Sequence, residues 1–451
     1  MKNIDQYRAM KVPRYTSYPT AIEFSDEVGE TEHRGWLAAL DNEQYSSPIS
    51  LYLHVPYCKQ LCWYCGCHAQ VNNRAATISR MANRLAAEAA LVDQTLGGVH
   101  EVSSVHFGGG TPTTLSSDDF DLVMSALRTL FAFTVDCTVS VEIDPRTLTE
   151  QKALRLGKAG VNRVSLGVQD FARNVQTSIN RVQPYVQVAE AVDWLRLGGV
   201  EKISFDLMYG LPNQTTSSVI ATAMKAITLN PDRLSVFGYA HLPQMLKHQR
   251  LIDEDTLPQT GERWEQAEAI AACVEGAGYV PIGFDHFARL DDPIAIAAAS
   301  GGLSRNFQGF TADEVGVLIA FGPSAISSLP QGFVQNEKSI QGYEEAIAAG
   351  RLPSVRGVKL SKEDRVRGAI IRDLLCNFSC DVGTRAREYG FALSVFQQAF
   401  DQLVPLVDDG LAVIEGNRVY IPKDARRLAR VVACCFDGYR TLATARGSLA
   451  V

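Results

Sequence analysis

The chain has 451 residues and a formal net charge of −7 at neutral pH, with 46% apolar and 21% charged residues; by length it holds two or three domains and a large core. No apolar run approaches the roughly 18–20 residues of a membrane span, the opening "MKNIDQYRAMKVPRY" lacks the apolar stretch of a secretory signal, and no basic stripe interleaved with aromatics offers a nucleic-acid surface. The expectation is a cytoplasmic protein, a monomer for want of any feature demanding more, with no nucleic-acid and no membrane partner.

From residue 50 to about 285, short β-rich runs alternate with longer helical ones. The predicted strands are "SLYLHV" (50–55), "SVHFGGG" (104–110), "TVSVEIDP" (138–145), "RVSLGVQD" (163–170), "KISFDLMYG" (202–210), "RLSVFGYA" (233–240) and "YVPIGFDHF" (279–287). Several read as nearly continuous apolar runs, as parallel strands buried on both faces do. Between them, "RMANRLAAEAALVDQTL" (80–96), "DDFDLVMSALRTLF" (118–131) and "ERWEQAEAIAACVEGAG" (262–278) carry helical spacing and stop at turn residues. This alternation predicts an α/β fold, an incomplete parallel β/α barrel with its chemistry at the C-terminal ends of the strands. After "GRLPSVRG" (350–357) two helical stretches (362–378 and 392–410), a hairpin-like segment (411–424) and a last helix follow. The predicted organisation is an N-terminal arm over 1–47, able to act as a substrate lid, a barrel over 48–350, and a smaller α-rich, winged-helix-like domain over 351–451.

Ten cysteines in this length are too dilute for a disulfide scaffold and point to metal or redox chemistry where they cluster. Four fall within "YLHVPYCKQLCWYCGCHAQ" (52–70): Cys58, Cys62 and Cys65, spaced by three and then two residues, and Cys67. A structural zinc site takes four N/S ligands, usually as two separated pairs, and no partner CxxC or HxxxH lies elsewhere. Cys67 trails Cys65 too closely to complete a set comfortably. Iron–sulfur cubanes prefer four thiolates, so three leave one iron open to a small molecule. A zinc knuckle or loose redox thiols are the competing readings. Cys137, Cys273, Cys376, Cys380, Cys434 and Cys435 read as buried small hydrophobes, and His54, His106 and His286 as hydrogen-bonded core residues.

The aromatic Tyr64 inside CxxxCxφC, followed one strand later by the glycine run of "HFGGGTPTTL" (106–115), resembles the radical S-adenosylmethionine enzymes. The series "PRYTSYPTA" (13–21), "VEIDPR" (141–146), "GVQDF" (167–171), "FDLMYGLPNQT" (205–215), "DRLSVFGYAHLP" (232–243), "GFDHFAR" (283–289) and "RNFQGF" (305–310) is similar, over nearly the whole chain, to the oxygen-independent coproporphyrinogen III oxidase family. The resemblance implies that Cys58, Cys62 and Cys65 hold a 4Fe–4S cluster, and that Cys67 is a non-ligand near the cofactor with an accessory part in catalysis. It implies two molecules of S-adenosyl-L-methionine: Tyr52, Gly109, Glu142 and Ile326 on the first, Tyr64, Gly110, Thr111, Gln169, Arg181, Asp206 and Ala240 on the second, with Gln308 a further candidate there. These residue types match the groups of that cofactor, with backbone around Gly109 and Gly110 for an amine, carboxylates for ribose or ammonium, a guanidinium for a carboxylate and an aromatic face for adenine.

The implied reaction is oxidative decarboxylation of coproporphyrinogen III to protoporphyrinogen IX. A 5′-deoxyadenosyl radical takes a hydrogen from a propionate, CO₂ and an electron depart, and a vinyl group remains, twice. The electron donor and acceptor are unknown from sequence. A substrate with four carboxylates calls for arginines at the barrel mouth, for which Arg14, Arg289 and Arg305 are the candidates. His68 and the run 311–327 depart from the commonest family pattern. The alternatives are a heme-binding or heme-transfer relative without decarboxylase activity, against which Cys67 and the arm speak, a related methyltransferase, and a structural zinc module.

Overall fold

The computed structural model describes residues 1–42, 47–307, 309–312, 316–444 and 447–450. Its frame is a sheet of twelve strands: β1 Ile49–Val55, β2 Glu101–Gly109, β3 Ala132–Ile143, β4 Arg163–Gln169, β5 Lys202–Tyr209, β6 Arg233–Gly238, β7 Val280–Ile282, β8 His286–Ala288, β9 Leu318–Phe321, β10 Ile326–Leu329, β11 Gly332–Asn336 and β12 Ser354–Lys359. Strands β1 to β6 lie side by side in sequence order and parallel. Helices Ala75–Leu96, Ser117–Leu130, Glu150–Lys158, Tyr185–Leu197 and Thr216–Thr228 make the crossovers. Beyond β1 the sheet continues through parallel β9 and antiparallel β10 to β12; beyond β6 it ends in antiparallel β8 and β7. The edges β7 and β12 do not pair, so the α/β barrel is incomplete, as the sequence predicts.

One face of the parallel strands is apolar and fully buried: Leu51, Val105, Val141, Val164, Phe205 and Leu234 pack outward against the helices. The next residue along each strand points the other way, and these are Tyr52, His106, Glu142, Ser165, Asp206 and Ser235. The pairing register lines them up, with Tyr52 opposite His106, Glu142 opposite Ser165, and Asp206 opposite Ser235. A polar stripe therefore lines the inside of the sheet, while the outer face carries the hydrophobic stabilisation, about 25 cal/mol per Å² of apolar surface removed from water.

Two features differ from the sequence reading. "YVPIGFDHF" is not one strand but the β7–β8 hairpin, because Gly283 adopts φ +56° and a Cβ there would meet the Phe310 ring at 2.0 Å; only glycine takes this bend without a clash. Strands β9 to β12 were not predicted, and β12 belongs to the main sheet although it lies past residue 350.

Beyond β12, the helix Lys362–Cys376 opens on a capping box of Ser361 and Asp364. It is followed by a three-stranded sheet of Ser379–Asp381, Arg418–Tyr420 and Val413–Glu415 and by helices Val382–Glu388, Gln397–Asp408 and Ala429–Cys434. The N-terminal segment is stitched to this region. Tyr7 Oη donates to Asp409 at 2.7 Å, Tyr15 Oη to Asp437 at 3.0 Å, and the Gly438 N–H to Tyr18 Oη at 2.7 Å. Lys11–Val12 pairs as a strand with Ser448–Leu449. Among the described residues no helix is long and apolar enough to cross a membrane.

Candidate functional site

The cysteine loop leaves the C-terminal end of β1 and is anchored on both sides. Tyr57–Cys58 pairs with Gln70–Val71, the Trp63 N–H donates to the Ile179 carbonyl at 3.0 Å, and the Thr111 N–H to the Tyr57 carbonyl at 2.8 Å. Each of three sulfurs accepts a hydrogen bond. Thr111 Oγ1 donates to Cys58 Sγ at 3.4 Å, Arg146 Nη2 and Arg181 Nη1 donate to Cys62 Sγ at 3.3 and 3.4 Å, and the Cys67 N–H donates to Cys65 Sγ at 3.4 Å. Donors aimed at sulfur suit thiolates that carry a cluster, whose potential such bonds tune. Among the described residues no group of three or more His, Cys, Asp or Glu side chains is placed to hold a single metal ion; a cubane asks instead for separated thiolates. Burial pushes the Cys58 thiol up to about 11, against the Thr111 hydrogen bond, so iron binding there displaces a proton.

Beside the loop, the triple glycine ending β2 is a packing requirement. A Cβ on Gly108 would lie 2.9 Å from Glu142 Oε1, one on Gly109 2.7 Å from the His54 ring, and one on Gly110 2.6 Å from the Tyr57 carbonyl oxygen. Gly109, at φ +107°, donates its N–H to Glu142 Oε2 at 3.2 Å, and Gly110 donates to the Val55 carbonyl at 2.8 Å. Their N–H groups are thus committed; an ammonium group, itself a donor, would be met by carbonyl or carboxylate oxygens. Glu142 Oε1 also lies 3.1 Å from His106 Nε2, whose Nδ1 meets Ser140 Oγ at 2.6 Å. Tyr52 stacks on His106 (centroids 5.7 Å apart, 15° between planes) and hydrogen-bonds with His54 Nδ1 at 3.2 Å. His54 Nε2 meets the His68 carbonyl at 2.9 Å, and burial lowers the His54 pKa. On the next strands, Asp206 accepts from Ser165 Oγ at 2.9 Å, and burial raises its pKa.

Gly109 and Glu142 therefore meet directly, and Tyr52 joins them through His106. Gln169 ends β4 at φ +64°, and Ala240 follows β6 with its carbonyl accepting from Gln249 at 3.2 Å. The same Gln249 amide donates to the Tyr64 carbonyl at 3.1 Å. Ile326 opens β10 after the turn 322–325, which the buried Glu88 holds by accepting from the Gly322 N–H, Asn336 Nδ2 and Tyr343 Oη, all at 2.7 Å. Arg181 is 6% exposed and touches Cys62 Sγ, Asp144 and the Gly167 carbonyl. Cys67 is exposed. Gln308 lies outside the described residues. Sequence reasoning missed Asp144 and Arg146, although both stand in the quoted "VEIDPR". It also placed His54 and His106 in the core without seeing that they buttress Tyr52 and Glu142.

A cavity of about 210 Å³, partly open to solvent, lies between the ends of β5 and β6, the N-terminal segment and the C-terminal strand. Arg14, Arg263, Arg305 and Arg430 line it, with Tyr209, Phe237, His286 and Asp285. Arg305 lies over the rings of Phe284 and Phe310, at 5.0 and 4.6 Å, and among the described residues its buried Nε and Nη1 have no hydrogen-bond partner. Asp285 is 2.6 Å from His286 Nδ1, so the cations outnumber the acids. Arg289 is apart from this cavity: it donates to Asn230 Oδ1 at 2.7 Å and lies 3.5 Å from Asp291.

Residues 52–226 match the radical SAM superfamily. The chain is 45% identical over 433 residues, 96% of each chain, to the oxygen-independent coproporphyrinogen III oxidase of Bradyrhizobium diazoefficiens. It is 37% identical to that of Escherichia coli K12, over 95% of this chain and 93% of the relative. The solved structure of the Escherichia coli coproporphyrinogen III oxidase, described as a radical SAM enzyme, superposes with a TM-score of 0.90 at 36% identity, covering 95% of this chain and 98% of the other. The chain belongs to the oxygen-independent coproporphyrinogen III oxidase family of the radical SAM superfamily, which brings a 4Fe–4S cluster and S-adenosylmethionine with it.

Proposed function

We propose that this protein converts coproporphyrinogen III to protoporphyrinogen IX by oxidative decarboxylation of two propionates, with its cluster on Cys58, Cys62 and Cys65. The observation that carries the reading is the convergence of three hydrogen-bonded thiols with a glycine-walled carboxylate, Glu142, at one end of the parallel strands. The cluster and its S-adenosylmethionine supply, when bound, a carbon radical able to take hydrogen from a propionate. The rest of the work is positioning by this chain. Glu142, fixed by the Gly109 N–H and His106, accepts hydrogen bonds from the first cofactor molecule, with Tyr52 and Ile326 flanking it. Tyr64, Gly110, Thr111, Gln169, Arg181, Asp206 and Ala240 surround a second. Cys67, beside Cys65, is the accessory group at this site.

Arg305 and Arg14 orient the substrate carboxylates, joined by Arg430 at the cavity wall. A buried guanidinium with unpaired N–H groups is costly unless an anion completes it, and Arg305 is in that position. Arg289, facing Asn230 and Asp291, has no part in this set. The N-terminal arm and the region beyond the barrel cover the cavity and exclude water. The test is Arg305→Met in the reconstituted holoenzyme. Losing one charge-assisted contact, about 1.5–3 kcal/mol, weakens coproporphyrin III binding, read by fluorescence, roughly tenfold or more, with cluster content unchanged. Binding equal to the parent protein would remove Arg305 from the substrate site.

A further inference from the structure

The donors at the cysteine loop are unevenly shared. Cys58 accepts one neutral hydroxyl, and Cys65 a backbone N–H and the thiol of Cys67, both neutral donors, whereas Cys62 accepts two guanidinium groups. Arg146 comes from the turn Pro145–Thr147 after β3, and Arg181 follows the helix Arg173–Ser178. Between them stands Asp144, which accepts from Arg146 Nη2 at 2.6 Å and Nε at 3.0 Å and from Arg181 Nη1 at 3.2 Å. All three side chains are close to buried, 7–11% exposed. Burial works to raise the Asp144 pKa, but the two arginines overcome it and hold the carboxyl below its ordinary value. Two cations and one anion leave a net positive charge against a single sulfur, in surroundings where charges interact strongly.

Taking up one electron adds one negative charge to a 4Fe–4S cluster and no proton. Charge-assisted hydrogen bonds to a ligand sulfur stabilise that reduced form more than the oxidised one. We propose that Arg146 is a positioning residue that raises the cluster's reduction potential through Cys62, easing delivery of the electron from an external one-electron carrier. Asp144 opposes that effect electrostatically while holding both guanidinium groups in place. The inference rests on the reading of Cys62 as a cluster ligand.

The experiment is a redox titration with dithionite on holoenzyme reconstituted anaerobically, followed by the electron paramagnetic resonance signal of the reduced cluster, with iron content measured in parallel. In Arg146→Met the reduced-to-oxidised ratio at a fixed potential falls about tenfold, a downward shift of about 59 mV for one electron, with iron retained. In Asp144→Asn the ratio rises several-fold. An unchanged ratio in Arg146→Met, or both variants moving the same way, overturns the proposal. Arg146→Lys, which keeps the charge and loses the fork, serves if Arg146→Met holds no iron: an intermediate potential supports the proposal, and parental potentials in both Arg146→Lys and Asp144→Asn overturn it. Full iron in Cys62→Ala would instead remove the underlying ligand assignment.

Discussion

At the scale of single residues, the site is built by close approach. Gly110 packs its Cα against the Tyr57 backbone, and a methyl group there would sit 2.6 Å from the carbonyl oxygen. Gly110→Ala forces the glycine turn and the cysteine loop apart, an overpacking cost of about 1–3 kcal/mol. The expected outcome is a lowered melting temperature with reduced iron uptake on reconstitution; parental values for both would show that the contact is not needed. The trio Cys58, Cys62 and Cys65 and the glycines were legible because their spacing and conformational demands are local. Arg146 was not, because its partner lies across the sheet: nothing in "VEIDPR" says that the guanidinium ends on a sulfur 84 positions earlier. Arg181, expected at a cofactor carboxylate, also meets Cys62 and Asp144 in the structure, contacts that no local pattern announces. The histidines were correctly read as hydrogen-bonded, but the identity of their partners, Tyr52 and Glu142, required the register of β1, β2 and β3. Of the remaining cysteines, Cys137, Cys376, Cys380, Cys434 and Cys435 are buried as expected, whereas Cys273 is only half-buried.

At the scale of elements, the six parallel strands were legible because β-rich runs carrying buried apolar residues alternate with helical segments and are bounded by turns. The strands from β9 to β12 were not, since such short strands leave weak periodicity, and their place is fixed by pairing, β9 on β1 and then β10 to β12 in succession, rather than by composition. The β7–β8 hairpin hid behind a single glycine. The edge strand β12 is locked to the helix Glu30–Asn42 by His33, whose Nδ1 meets Ser354 Oγ at 2.6 Å. Burial lowers the His33 pKa from 6.5 to about 4, and among the described residues its buried Nε2 has no partner, so protonation would strand a charge. The unfolded chain binds the extra proton between those values, and the contribution of His33 to stability is therefore complete above pH 6.5 and lost as pH falls through about 4. The parent protein accordingly loses stability from this group on the order of 3 kcal/mol across that window, and His33→Gln flattens that limb. Denaturant midpoints at pH 7, 5.5 and 4 check it, and parallel pH profiles of parent and variant would contradict it.

At the scale of the whole molecule, chemistry and shelter come from different parts of the chain. The parallel strands carry the thiols and the carboxylates, while the N-terminal segment and the C-terminal region close over the arginine cavity. Arg430 ties them together, donating to the Val12 carbonyl at 3.3 Å and the Ala450 carbonyl at 3.0 Å. Removing residues 1–20 opens that cavity without touching the cysteine loop. Cofactor cleavage then persists while vinyl product falls at least tenfold, so the ratio of 5′-deoxyadenosine to product rises; an unchanged ratio would deny the segment a sheltering role. The organisation into an arm over 1–47, a barrel and an α-rich region beyond 350 is best read with β12 on the barrel side. The most direct test of the central claim is one anaerobic assay of reconstituted protein with coproporphyrinogen III, S-adenosylmethionine and a reductant, quantifying 5′-deoxyadenosine and protoporphyrinogen IX together, in the parent and in Cys62→Ala. The account predicts both products from the parent and neither from the variant. Both products at parental levels from Cys62→Ala, or S-adenosylhomocysteine in place of 5′-deoxyadenosine, would contradict it.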